Sequence, residues 1–465
     1  MSRILIDDLP FDLTVPVAIV GGGAAGLCAA LAAKEAGVAP IVFERDALPQ
    51  GSTALSAGLI PAPCTAAQRA AGIADSVAAF AADIQTKAHG DADPTVLAAV
   101  TEGAAPAIDW LTERHGLAFT VIADFSYPGH SARRMHGLAS RSGAELIDRL
   151  RAAAEAAEID IVTEARVTAL VAAPDGRVRG LVVTRPDGSE DRIGCDALVL
   201  ACNGYGGNKD LVAEHIPALK DALYFGHPGN QGDAVLWGQA LGAELRHMSG
   251  HQGHGSVAHP HGILVSWAVI MEGGFQVNVA GERFWNEASG YSEAALAVLG
   301  QPGGIAYDIF DARIAGIARQ FEDFRRAEAG GAVLQAESSD ELAARLSIPP
   351  QVIRATLESV ADLKRRGGRD GFGRDWTGAA DLEAPFCAVK VTGALFHTQG
   401  GLAVDATARV RRPDGSLLPN LFAAGGAAVG VSGPDASGYL SGNGLLTAVV
   451  LGRIAGGEAA RLARA

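Results

Sequence analysis

Apolar residues follow two different periods along this chain, and the changes between them mark its elements. The continuous run at residues 17–20 predicts a buried strand, the Ala-rich stretch after the glycines at 21–26 predicts a helix, and the run at 41–43 predicts a second strand. Helical spacing predicts a helix at 96–115. Between about 162 and 202 the pattern turns to short strands at 166–172, 180–184 and 197–202, separated by Pro174-Asp-Gly and Pro186-Asp-Gly turns, which reads as a β-meander. Farther on, a β segment at 275–279 precedes helical stretches at 308–329, 339–346 and 351–366. Ser338-x-x-Glu341 fits a capping box, Gly367-Gly368 fits a stop, and a closing helix is expected at 443–456.

The order strand, glycines, helix, strand at 17–44 carries chemistry. Gly21-x-Gly23-x-x-Gly26 follows the first strand directly, and Glu44 ends the second. In such a βαβ unit the first glycine permits the tight turn, the second lets the backbone approach a pyrophosphate, and the third allows close helix–strand packing. The helix N-terminus favours the phosphates, and the acid suits a ribose hydroxyl. A second glycine-rich stretch, Asn203-Gly-Tyr-Gly-Gly207, and a third, Ala424-Gly-Gly-Ala-Ala-Val-Gly430, each follow an apolar strand, so the chain is expected to return twice to the nucleotide. The domain so defined covers 1–240 and 395–465, and residues 241–394 form an inserted α+β lobe with a His-rich loop at 247–261. An interrupted domain of this kind is expected to place its ligand cleft at the domain interface.

Composition adds mainly exclusions. With 465 residues, 48% hydrophobic, the chain has ample core, and its net charge of −14 argues against nucleic acid and anionic membrane surfaces. The five cysteines stand singly, without metal-ligand spacing, and read as buried residues of a reducing compartment. No apolar run reaches the roughly 18 residues of a membrane helix, and the first residues lack a signal-peptide pattern, so no integral membrane segment and a cytoplasmic location are expected.

The fingerprint at 21–44, Gly51-Ser-Thr53, Ala201-Cys-Asn-Gly204, Asn278-Val-Ala-Gly-Glu-Arg-Phe-Trp-Asn-Glu287, His397-Thr-Gln-Gly-Gly401, Phe422-Ala-Ala-Gly-Gly426 and Gly442-Asn-Gly444 resemble the fumarate reductase/succinate dehydrogenase flavoprotein superfamily, and within it the 3-ketosteroid dehydrogenase branch. The resemblance implies an α/β fold, a Rossmann-like FAD-binding domain interrupted by an α+β capping domain. It implies FAD held by Gly21, Gly23, Ala24, Ala25, Gly26, Glu44 and Arg45, by Gly51, Ser52, Thr53, Ser56 and Gly58, and by Val167. The later contacts it implies are Ala201, Cys202, Asn203, Gly204, Asp233, Gly425, Gly426, Asn443, Leu445 and Leu446. Some members attach FAD to a histidine near residues 50–58; none stands there, so noncovalent FAD is expected. Two departures concern the cofactor: Cys202-Asn-Gly204 replaces the usual Thr-Gly-Gly, and Gly426 replaces a usual Glu.

Two more departures concern the reaction. Fumarate reductases of this superfamily carry a catalytic arginine eight residues after the arginine of Arg-Phe-x-Asn-Glu, and a carboxylate-clamping arginine two residues before the Gly-Gly-Asn or Ser-Gly-Asn that opens the last helix. The matching positions here are Tyr291 and Tyr439. A phenol does not grip a carboxylate in a fork as arginine does, but it hydrogen-bonds a ketone oxygen and, deprotonated, serves as a base. The ketosteroid dehydrogenases have tyrosines at both places. The resemblance therefore implies that Tyr291 removes the α-proton, that Tyr439 with a backbone N–H of Gly442 or Asn443 holds the enolate oxygen, and that the β-hydride goes to flavin N5. Tyr439-x-Ser441 is closer to the 4-(5α)-dehydrogenases, where the serine assists. The implied substrate is a 3-ketosteroid or smaller cyclic ketone.

Other readings stay open on the residues alone. Either tyrosine fits a half-buried packing position, although the chain has only six. His254 and His397 match the two substrate-contacting histidines of fumarate reductases; His397 keeps the motif around it, whereas His254 reads as a solvated or structural residue of the His-rich loop, and no metal site is expected. The run Tyr127-Pro-Gly-His-Ser-Ala-Arg-Arg-Met-His136 fits a loop at the substrate mouth or a surface turn. Arg283 and Glu287 read as a structural turn. The alternative reaction is a fumarate- or urocanate-type enoate reductase, with His397 and Arg283 binding a carboxylate; a flavin-binding scaffold without turnover is the non-enzymatic one. No second GxGxxG suggests an NAD(P)H site, and the external electron acceptor is left open.

Overall fold

The computed structural model describes residues 3–123 and 127–465, which form two compact units. Unit one comprises 1–217, 226–251 and 397–465; unit two comprises 218–225 and 252–396.

In unit one, β1 (Leu13–Val20) leads into α1 (Ala24–Glu35), and β2 (Pro40–Phe43) lies parallel beside β1 with Val20 opposite Phe43. The meander follows as β3 (Arg166–Ala172), β4 (Val178–Thr184) and β5 (Glu190–Leu200), antiparallel at each step. β5 then runs parallel to β1, Leu200 opposite Val20, and on its other side parallel to β6 (Leu417–Ala423), Leu200 opposite Ala423. Four parallel strands therefore end side by side, in the order Ala423, Leu200, Val20, Phe43. Everything that follows these carboxyl ends converges on one crevice, the place where open α/β sheets bind their ligands.

Small residues decide how the closing helix α2 (Asn443–Ala463) packs on α1. A Cβ on Gly452 would overlap the Ala25 carbonyl oxygen and one on Gly456 the Ala29 carbonyl oxygen, so the two backbones touch where the sequence offers only Gly and Ala. Gly456→Ala forces backbone apart, and we expect a loss of about 2 kcal/mol, read as a fall in thermal midpoint of several degrees.

Unit two is built on a seven-stranded sheet whose central strand is Phe386–Thr398, flanked by His251–Ala258 on one side and Ile305–Asp311 on the other. Its core joins Phe275, Val277, Ile309, Leu342, Leu346, Ile353 and Trp376. The helix at Ser339–Leu346 begins with Ser338 Oγ accepting from the Glu341 N–H at 3.2 Å, while the Glu341 carboxylate turns back to the Glu337 N–H, one residue beyond the expected capping box. The next helix, Pro350–Arg366, ends at Gly367 with φ 67°.

Two sequence expectations fail here. Residues 308–329 are not one helix: Ile305–Asp311 is a strand, followed by helices Ala312–Ala318 and Glu322–Ala329. This strand is flanked on both edges by other strands and buried on both faces, so its apolar residues run on without the alternation that marks a half-buried strand. His251 and His254 are also not loop residues but buried positions on the strand His251–Ala258.

Candidate active site

The glycine turn fits a bound dinucleotide by its own geometry. Gly21 has φ 105°, and a Cβ there would lie 2.5 Å from the Ala201 carbonyl oxygen. A Cβ on Gly26 would overlap the Gly21 carbonyl oxygen, which is the close helix–strand contact expected of the third glycine. Gly23 differs: a Cβ there would meet nothing nearer than Thr53 Oγ1 at 3.5 Å, so it borders open space before the N-terminus of α1. Thr53 itself accepts the Ala24 N–H at 3.1 Å. The buried Glu44 carboxylate accepts from Gly22 N at 2.7 Å and Asp46 N at 3.0 Å, one bond to each oxygen, which leaves acceptor capacity on both for a ribose diol. Burial raises its pKa, with the two N–H bonds opposing.

The other expected cofactor residues fall around this crevice. Gly51, Ser52 and Thr53 form a short helix, Gly51–Ala54; Ser52 Oγ accepts from His227 N at 3.0 Å and Asn230 Nδ2 at 2.8 Å, which ties the 227–230 loop to it. Arg45 donates to the Gly229 carbonyl of that loop at 2.8 Å. Ser56 Oγ bonds Thr53 O and Gly58 N. Val167 is buried beside the strand end that carries Glu44, since Ala165 N donates to Glu44 O. Asp233 opens the helix Asp233–Ala240. Ala25, Leu445 and Leu446 lie where α1 and α2 begin.

The two cofactor departures meet in space. Asn203 sits at φ 66°, a left-handed position that Asn tolerates where Gly is usual, and its Oδ1 bonds the Gly204 N–H at 2.9 Å. That oxygen occupies the space that a Cβ on Gly426 would need, with His397 Nε2 2.9 Å from the same point. A side chain at 426 would therefore displace the Asn203 amide from its bond to the Gly204 N–H. Burial pushes the Cys202 thiol up to about 12, so it carries no thiolate. Asn443 Oδ1 is buried and bonds nothing among the described residues, an acceptor that the N–H or hydroxyl groups of a bound flavin would satisfy.

Around the start of α2, unit one gathers most of the expected reaction residues. Tyr439, 6% exposed, accepts the Gly444 N–H on its hydroxyl at 3.3 Å. His397 Nδ1 lies 2.7 Å from Gln399 Nε2, Gln399 Oε1 accepts from Ser432 Oγ at 3.0 Å, and Asn443 Nδ2 donates to the same Ser432 Oγ at 3.2 Å. A Cβ on Gly444 would be 3.5 Å from the Tyr439 hydroxyl and 3.9 Å from His397 Nδ1, so phenol and imidazole flank one point at the helix N-terminus. Gly442, at φ 86°, is the N-cap. Of the two amides expected to receive an oxyanion, that of Asn443 donates to Leu440 O at 3.1 Å, which leaves Gly442.

Unit two holds Tyr291, the first residue of the helix Tyr291–Leu299. Its ring stacks on His254 at 4.8 Å and meets Trp267 edge-on at 6.3 Å, and His254 stacks in turn on Phe396 at 5.0 Å. Burial pushes His254 down to about 3 and His397 to about 4, so both imidazoles are neutral. Arg283 is fully engaged: Nε and Nη2 hold the two oxygens of Glu287 at 3.0 and 2.7 Å, and Nη1 holds Asp370 at 2.7 Å. Glu287 also binds Arg374 at 3.1 Å, so the Arg-Phe-x-Asn-Glu segment anchors the lobe through buried ion pairs. Among the described residues no group of three His, Cys, Asp or Glu side chains is placed to hold a metal ion.

Behind His254 runs a buried network that sequence reasoning missed. Ser256 N donates to His254 Nδ1 at 3.1 Å, Ser256 Oγ bonds Asp308, and Gln276 Nε2 donates to Asp308 at 2.8 Å. Burial outweighs these bonds and raises Asp308 from 3.8 to about 7. A carboxyl with a raised folded-state pKa keeps its proton where the unfolded chain has lost it, so its stabilising contribution falls as pH climbs from about 4 to about 7. The thermal midpoint of wild type should therefore fall relative to Asp308→Asn across that window, which parallel melts at several pH values would read.

The family model for an FAD binding domain matches residues 16–445. The chain belongs to this family. Its relatives in the fumarate reductase/succinate dehydrogenase flavoprotein superfamily include a probable fumarate reductase of Shewanella frigidimarina, 32% identical over 96% of this chain and 75% of that protein. Among solved structures, the open conformation of a flavocytochrome c3 fumarate reductase superposes with a TM-score of 0.82 at 31% identity, covering 97% of this chain and 79% of that one. The 3-ketosteroid-delta4-(5alpha)-dehydrogenase from Rhodococcus jostii shares the fold, with a TM-score of 0.76 at 24% identity over 99% of both chains. The protein is thus an FAD-dependent oxidoreductase acting on CH–CH or C=C bonds, with an FAD-binding fold and a capping domain. The histidine-free segment at 50–58 is compatible with noncovalent attachment. No helix among the described residues is long and apolar enough to cross a membrane.

Proposed function

We propose that this flavoprotein introduces a C=C bond α,β to the carbonyl of a cyclic ketone, a 3-ketosteroid or a smaller ring. The observation that carries the reading is the Tyr439 hydroxyl at the N-terminus of α2, 3.3 Å from the Gly444 N–H, where fumarate reductases are expected to present a guanidinium. A phenol beside backbone N–H groups and a positive helix end suits a carbonyl oxygen that gains negative charge. It offers no fork for a carboxylate.

FAD, when bound, supplies the hydride acceptor. The chain's own residues do the rest: Tyr439 and the Gly442 N–H hold the carbonyl oxygen, and Tyr291 takes the α-proton on its phenolate oxygen. Neutral His397, bonded to Gln399, fixes the polar wall beside Tyr439, and Ser441 belongs to the same turn. The alternative, reduction of an unsaturated acid, requires a cation for the carboxylate. Arg283 is spent on Glu287 and Asp370, and burial keeps His254 and His397 neutral, so none of these three supplies a charged clamp, which favours the ketone reading. The test is which compounds exchange electrons with the flavin under anaerobic conditions, cyclic ketones or unsaturated diacids.

A further inference from the structure

His130 touches the turn that carries Tyr439. Its Nε2 lies 3.1 Å from the Ser441 carbonyl oxygen, and its Nδ1 lies 3.2 Å from Arg134 Nη1. A guanidinium only donates, so Nδ1 accepts, the ring proton sits on Nε2, and His130 donates to Ser441 O. The arginine behind it is rigid: it is 1% exposed, Asp75 grips it in a fork at 2.9 Å on both arms, and Asp83 bonds its third nitrogen. Phe80 covers both groups, stacked on the His130 ring at 6.2 Å and lying 4.8 Å beneath the Arg134 guanidinium carbon. Burial and the neighbouring guanidinium push His130 down to about 4, so it is neutral and acts as a fixed donor.

The Ser441 carbonyl and the Gly442 N–H belong to one planar peptide and point in opposite directions. Fixing the first therefore aims the second, and a hydrogen bond into the carbonyl polarises the N–H at the far side. Gly442 is held from its own side as well, since at φ 86° a Cβ would lie 2.5 Å from Pro61 Cδ. We propose that His130 is a positioning residue, backed by Asp75, Asp83 and Arg134, which orients the Ser441–Gly442 peptide so that its N–H meets the substrate's carbonyl oxygen. This rests on the ketone reading given above.

The test compares His130→Asn with His130→Gln in the FAD-loaded enzyme. Asparagine keeps an acceptor for Arg134 but is too short to reach Ser441; glutamine reaches it with an N–H. His130→Asn should lower kcat for a cyclic ketone by about tenfold to a hundredfold, with KM within about twofold and FAD retained. Amide hydrogen exchange over residues 440–445 should speed up in His130→Asn, and His130→Gln should restore most of both. Unchanged kcat in His130→Asn, or equal losses in the two variants, would overturn the proposal. If the wild type is reduced by no cyclic ketone, the ketone reading fails on its own; the exchange comparison then still decides His130, and equal exchange in wild type and His130→Asn overturns its role in holding the peptide.

Discussion

Replacing Tyr291 by Phe should slow flavin reduction by a cyclic ketone by about a thousandfold, the middle of the range for a lost general base, while the protein stays folded and yellow. The ring contacts with His254 and Trp267 do not need the hydroxyl and are kept in the variant. A phenol accepts a proton only after losing its own, and its ordinary pKa is about 10. The wild-type rate should therefore climb from neutral toward alkaline pH, and the residual rate of Tyr291→Phe should lose that climb. Stopped-flow absorbance of the flavin over a pH series reads both. A variant with near-normal rate removes Tyr291 from the mechanism.

Tyr439→Phe should cost about 10²- to 10³-fold in kcat, as loss of one oxyanion donor does. The hydroxyl is expected to act on charge that develops during proton removal, so KM should change far less than kcat. The change also strips the Gly444 N–H of its acceptor at the start of α2, and a modest fall in thermal midpoint should accompany the kinetic loss. A loss confined to KM would mean that Tyr439 only packs against the substrate.

The FAD half of the molecule was largely legible because each of its parts has a local signature. Gly21 and Gly26 announce a turn whose geometry no other residue fits, and the meander at Arg166–Leu200 is spelled by its Pro-Asp-Gly turns. The capping lobe was less legible. Ile305–Asp311 lies between two strands and carries the buried Asp308, so it reads neither as alternating nor as purely apolar, and it merged with the helices that follow. Arg134 was invisible as a support because its carboxylates come from positions 75 and 83, and nothing in a linear sequence joins them to Ser441. Asn203 and Gly426 stand 223 residues apart as two separate oddities in the sequence, and only the fold brings them into contact.

In the proposed reading, two phenols stand where fumarate reductases are expected to carry two guanidiniums, and they turn the site from carboxylates toward ketones. The deciding experiment is anaerobic titration of the FAD-loaded protein with cyclic ketones and 3-ketosteroids, paired with reoxidation of the reduced protein by enones, fumarate and urocanate. Bleaching by a saturated cyclic ketone and reoxidation by its enone, with no response to either acid, is the predicted result. Rapid reoxidation by fumarate or urocanate, with none by an enone, would contradict it.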